Sequence, residues 1–214
     1  DVATLASMFA RLSYNFDERY MLQVTVRRDG SSRFGANNHY ATFPSFSLGW
    51  NLTNEKFMEK RPGWLTTTKV RLSWGKNGNE NIGNFKYTTL TSTGHNVLFG
   101  QNESTSLGVK ASGLANPDLR WEESEQLDFG LDFGFFNNAL TFTVDYYKKK
   151  TNGMLMKMNI PSYVGEEKPW GNVGTMENRG VEMELAYKFG KGDWNFRLAG
   201  NLSYLENELI EYGN

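Results

Sequence analysis

The stretch Leu140-Thr141-Phe142-Thr143-Val144-Asp145-Tyr146 carries an apolar side chain at every second position and a polar one between. Successive side chains of a β-strand point to opposite faces, so the segment has one face suited to an apolar surrounding and one suited to water. The same period runs through Val181, Met183, Leu185, Tyr187 and Phe189 against Glu182, Glu184 and Lys188. Working outward, it recurs over residues 8–16, 20–26, 46–52, 70–74, 127–133 and 194–204, where only Gly200 interrupts the apolar side.

Alternation alone fits a soluble sandwich as well as a membrane barrel. Strands of soluble domains are usually about five or six residues long, whereas a tilted strand needs about nine to eleven to cross the hydrocarbon layer. These runs are of the longer kind. Tyr14, Phe16, Tyr20, Trp50, Phe133, Phe135, Phe136, Phe189 and Trp194 gather beside short connections, and Trp74, Trp121, Tyr146 and Tyr204 toward long ones. Two aromatic belts are expected where a wall meets the headgroups on each side of a bilayer. The prediction is an all-β, transmembrane, antiparallel up-and-down β-barrel wall of about eight strands.

Connections alternate between short and long, the asymmetry of bacterial outer-membrane barrels. Asp17-Glu18-Arg19, Asn137-Asn138 and Gly190-Lys191-Gly192-Asp193 supply the turn chemistry of tight periplasmic hairpins. A fourth periplasmic connection, residues 53–65, has the pattern of a helical turn over residues 54–58, ended by Pro62-Gly63. Residues 28–42, 76–119 and 153–178 read as extracellular loops, the middle one long enough for its own hairpin with residues 85–91 as one arm.

The net charge of −1 provides no electrostatic steering toward nucleic acid. A mean hydropathy of −0.56 and the lack of any long apolar run exclude a helical membrane protein but not a barrel, whose lumen-facing residues are polar. The sequence has no cysteine, and it shows no phosphate-cradling glycine loop, serine elbow or HExxH pattern. His39 and His95 lack neighbouring ligands at metal spacing, so neither a metal site nor a cofactor is expected.

Several strings then carry a resemblance. Arg27-Arg28-Asp29-Gly30-Ser31-Ser32-Arg33-Phe34-Gly35, Phe43-Pro44-Ser45 with Gly49-Trp50, and Leu72-Ser73-Trp74-Gly75-Lys76-Asn77-Gly78 resemble segments of the SusC/RagA family of TonB-dependent outer-membrane transporters. So do Leu114-Ala115-Asn116-Pro117-Asp118-Leu119-Arg120-Trp121-Glu122, Asn172-Val173-Gly174 and Glu177-Asn178-Arg179-Gly180-Val181-Glu182, in the family's order. The resemblance implies that residues 1–214 form part of one barrel domain, of the 22-stranded plugged class, in the outer membrane of a bacterium. It also implies import of an oligosaccharide or peptide, a SusD-like surface lipoprotein partner and energy from the TonB complex. The plug and the TonB-contacting box, which the family places N-terminal to the barrel, are not among these residues, and a fragment of a larger barrel is expected.

Arg11, Arg27, Lys69, Arg71, Asp128, Asp132, Asp145, Glu182, Glu184, Lys188 and Arg197 fall on the polar face and are expected to line the lumen, pairing across neighbouring strands. The five acids could be imagined as a glycosidase pair, but the wall reading assigns them to lumen lining and predicts no enzyme. Trp121, Tyr163 and Trp170 are the loop candidates for contact with cargo or lipoprotein. Gly49, Gly75, Gly130 and Gly134 are expected to mark bends or close approaches in the wall. Two rivals remain at this point: a small stand-alone barrel acting as pore or adhesin, and a soluble carbohydrate-binding β-domain with Trp121, Trp170 and Tyr163 as stacking platforms.

Overall fold

The structure, a computed structural model, describes residues 2–99 and 104–213. In chain order the strands are β1 (Leu5–Phe16), β2 (Tyr20–Ser31), β3 (Tyr40–Asn51), β4 (Leu65–Asn79), β5 (Leu90–Thr93), β6 (Val97–Phe99), β7 (Ser104–Ser106), β8 (Val109–Ser112), β9 (Glu122–Phe135), β10 (Leu140–Asn152), β11 (Leu155–Lys157), β12 (Trp170–Asn172), β13 (Gly174–Lys191) and β14 (Trp194–Tyr212). Eight of them form one antiparallel meander in the order β1-β2-β3-β4-β9-β10-β13-β14. Among the described residues no pairing joins β1 to β14, so the sheet does not close on itself as the small stand-alone barrel would require.

Register confirms the two faces. Phe16, Tyr20, Trp50, Val70, Leu131, Val144, Met183 and Leu202 form one continuous apolar row across all eight strands. The neighbouring row on the other face holds Met21, Gly49, Arg71, Gly130, Asp145, Glu182 and Ser203. The strands are also staggered. A row that begins with Leu12, Val24, Phe46, Trp74 and Leu127 ends in Lys148, Arg179 and Glu206, so the apolar band slides along the strands as the sheet proceeds. On β14 the band runs from Trp194 to Tyr204, and Glu206 lies beyond it.

The short turns are tight because their residues take positive φ: Asp17 and Glu18 at 52°, Asn137 and Asn138 at 60°, Gly192 at 60°. The last turn is only Gly192-Asp193, two residues shorter than expected, because Gly190 and Lys191 stay in the ladder opposite Asn195 and Trp194. The connection after β3 forms two short 3-10 helices (Leu52–Asn54 and Lys56–Met58) where one helical turn was expected.

At the other end the strands outrun the sequence reading. β2 and β3 stay paired to Gly30 and Tyr40, leaving residues 32–39 as loop, and β14 continues to Tyr212 where it had been expected to end near Tyr204. Alternating apolarity marks only the part of each strand that carries the apolar band; beyond it the backbone ladder continues on charged residues such as Lys148, Lys150, Glu206 and Glu208. The middle loop holds two nested hairpins, β5 with β8 and β6 with β7. Its arm starts at Leu90, not at Phe85, which sits in a turn at φ 58°. Residues 100–103 of that loop lie outside the described residues.

Candidate functional site

The polar face is organised around Arg71. Its guanidinium makes a two-point contact with Asp132 on β9 (2.8 and 2.9 Å) and reaches past it to Asp145 on β10 (2.8 Å). The path to Asp145 crosses Gly130, which lies directly between Arg71 and Asp145 in register. A Cβ at Gly130 would collide with the Asp145 carboxylate and the Arg71 guanidinium. The glycine therefore opens a passage for a side chain, and one cation neutralises acids on two strands.

The remaining polar-face charges are held less tightly. Arg197 contacts Glu184 at 3.3 Å, Arg27 contacts Asp29 at 2.7 Å, and Arg11 donates to Thr25 at 3.3 Å. Asp128 accepts from Ser73 at 3.0 Å and from Gln126 at 2.8 Å. Lys69 lies opposite Asp132 in register. Like charges also meet, Lys188 opposite Arg197 and Asp145 opposite Glu182, so the cross-strand ladder is not strictly alternating. Beside Arg71, Ser13, Asn15, Gln23, Ser47 and Ser73 line a shallow depression of about 480 Å³. Among the described residues no three His, Cys, Asp or Glu side chains come together as metal ligands.

The long-loop end is built differently. Phe34, Phe43, Ile82, Leu119 and Trp121 form a buried cluster, with Phe34 and Leu119 at 0% exposure. Trp121 sits against Phe34 at 5.2 Å and edge-on to Phe43 at 5.6 Å between ring centroids, and its indole N–H donates to the His39 carbonyl. Both the belt position and the stacking role expected of Trp121 are thus replaced by a packing role. Asn172 fastens a second loop to the first: its amide donates to the carbonyls of Arg120 (2.7 Å) and Gly153 (2.9 Å), and its oxygen accepts from the Arg120 N–H (2.9 Å). Glu122 accepts from Asn79 and from the Leu155 N–H, both at 3.0 Å. Trp170 packs half-buried against the cluster, and Tyr163 is 88% exposed. Above the apolar band, Arg179 grips Glu206 at 3.0 and 2.9 Å; that hydrogen bonding, then its charge, hold the Glu206 carboxyl below the usual glutamate range.

The strings 27–35, 114–122 and 172–174 therefore meet in space at one clamp. The family model described as TonB dependent receptor-like, beta-barrel matches residues 1–214. The chain belongs to the TonB-dependent receptor β-barrel family. It is 37% identical over 208 residues to TonB-dependent receptor P39 of Formosa agariphila, covering 97% of this chain and 19% of that protein. It is 36% identical over 213 residues to TonB-dependent receptor SusC of Bacteroides thetaiotaomicron, covering 97% and 21%. Among solved structures it is similar to the RagAB peptide importer in its closed-closed state, with a TM-score of 0.86, 33% identity, and coverage of 98% of this chain and 22% of that one. The chain thus spans about a fifth of the length of these relatives. In TonB-dependent receptors the β-barrel is an outer-membrane structure, and its members are transporters rather than enzymes.

Sequence reasoning missed three groups: Phe34 as a core residue, Asn172 and Glu122 as loop fasteners, and the Arg19–Glu55 contact at the short-turn end (3.8 Å). Phe34, Asn172 and Glu122 lie inside the strings that carried the resemblance. For the last there was no signal beyond opposite charges.

Proposed function

We propose that this chain is an eight-stranded sector of the wall of a SusC-like, TonB-dependent importer in the bacterial outer membrane, with the apolar face toward lipid and the Arg71 face toward the lumen. The supporting observation is the conjunction of a whole-chain family match with a sheet whose register separates a continuous apolar row, Phe16 to Leu202, from a polar one on the other face. The cargo is an oligosaccharide or a peptide, a SusD-like lipoprotein covers the loop end, and TonB supplies the energy. Within this wall the charged lumen residues hold register and meet the plug, while Tyr163 and Trp170 stand on the loop that faces cargo or lipoprotein. The exposure of Tyr163 fits that role better than the buried Trp121 does, and the half-buried Trp170 lies between them.

The test is deletion of the parent gene, with growth measured on defined oligosaccharides and on defined peptides as sole nutrient source. Loss of growth on members of one panel, reproduced in a strain without TonB, is the expected result. Unchanged growth on both panels contradicts the importer reading.

A further inference from the structure

The connection between β3 and β4 is far longer than a periplasmic hairpin needs. The other short connections are residues 17–19, 136–139 and 192–193; this one occupies residues 52–64. Its direction is set by side chains. Glu55 accepts from the Trp50 indole at 3.0 Å, and Trp50 stacks on Tyr20 within the apolar row. At the far end Trp64 stacks on Phe135, with centroids 5.9 Å apart, and its carbonyl accepts from the Phe136 N–H at 2.8 Å. Phe135 faces Leu140 on that same apolar side. The segment thus bends toward the apolar face and continues the aromatic belt past the strand ends.

What it presents there is amphipathic. Phe57 is 65% exposed, Trp64 51% and Phe136 60%. Lys56 and Lys60 are exposed and, among the described residues, make no ion pair. Arg61, also exposed, is engaged by the loop's own backbone, donating to the Leu65 carbonyl at 3.0 Å. Exposed rings at the edge of an apolar belt with free ammonium groups beside them match the two zones of a bilayer interface, acyl boundary and phosphate.

We infer that residues 52–64 form an interfacial anchor that binds the phospholipids of the inner leaflet, with Phe57 and Trp64 entering the acyl boundary and Lys56 and Lys60 meeting headgroup phosphates. This rests on the membrane-wall reading and adds a lipid-binding segment to it. Continuity with the lipid-facing belt, through Trp50 and Phe135, selects lipid as the occupant over a periplasmic protein.

The test uses the full-length parent protein, with any cysteines elsewhere replaced, in vesicles of phosphatidylethanolamine and phosphatidylglycerol. Nitroxides are placed at Phe57→Cys, at Asp193→Cys in the two-residue turn, and at Leu72→Cys in the middle of the apolar face. Collisions with oxygen are compared with collisions with a water-soluble nickel chelate. The anchor predicts an oxygen-favoured label at position 57, shallower than at 72, and a chelate-favoured label at 193. A label at 57 as open to chelate as that at 193, with 72 still in lipid, overturns the anchor and leaves the face to a periplasmic protein. Chelate access at 72 as well overturns the wall reading instead. The double variant Lys56→Gln, Lys60→Gln is expected to retain less phosphatidylglycerol in native mass spectrometry; unchanged retention overturns the phosphate contact.

Discussion

The wall and the loop clamp use apolar residues in opposite ways. On the wall Leu12 is 66% exposed and Leu198 65%, while in the clamp Phe34 and Leu119 are wholly covered. The same residue types thus have opposite fates a few strand lengths apart. Where lipid surrounds the sheet, burial by protein gains nothing and backbone pairing carries the structure; where the loops stand in water, apolar side chains must cover each other. Among the described residues the wall is mostly surface, and the buried apolar cluster lies at the long-loop end.

This contrast can be broken by substitution in the full-length protein. Trp121→Ala empties the centre of the clamp and should cost about 3–5 kcal/mol locally. Limited proteolysis is expected to nick residues 80–121 while the barrel stays folded; unfolding of the whole barrel would show that wall and clamp are one cooperative unit. Leu72→Arg puts a charge at mid-depth on the lipid face and should cost roughly 2–4 kcal/mol, read by denaturant unfolding in vesicles. The reverse experiment, Leu72→Ala, should cost far less than Leu119→Ala, because only the second opens a cavity in protein.

A smaller effect sharpens the account of the polar face. Arg71→Met leaves Asp132 and Asp145 without their shared cation, and because the guanidinium is 37% exposed the cost should be about 1–2 kcal/mol, between the exposed and the buried limits. Adding Gly130→Leu should then be tolerated better than Gly130→Leu alone, since the passage it blocks is no longer used. Equal cost in both backgrounds would refute the crossing.

The smallest effect is pH-dependent. Glu206 titrates below its ordinary range in the folded protein, so its contact with Arg179 contributes fully above the unfolded glutamate value and is lost as pH falls through the depressed one. Unfolding of the parent protein and of its Glu206→Gln variant should differ at neutral pH and converge in acid below the ordinary glutamate range. A difference that persists there would assign Glu206 a role other than this ion pair.

Much of the wall was legible in the sequence because its rules are local. A period of two separates Phe142 from Thr143 whatever surrounds them, and Asn137-Asn138 or Gly192-Asp193 turns by its own backbone preferences. The clamp was not legible, because Trp121 finds the His39 carbonyl across 82 residues and Asn116 finds the Trp170 carbonyl across 54. Aromatic residues near long loops read as belt or ligand platform until the fold shows what covers them. The Arg71 bridge was half legible: pairing of opposite charges across neighbouring strands was expected, but Arg71 stands opposite Gly130, and its reach to Asp145 two strands away needs the gap there.

The most direct test of the central claim is a cryo-electron microscopy map of the full-length parent protein in a lipid nanodisc. It should show β1 and β14 each paired to further strands of a closed barrel, with the row from Phe16 to Leu202 against lipid and Arg71, Asp132 and Asp145 facing the lumen. A map in which that apolar row packs on a second sheet of the same protein would contradict the account.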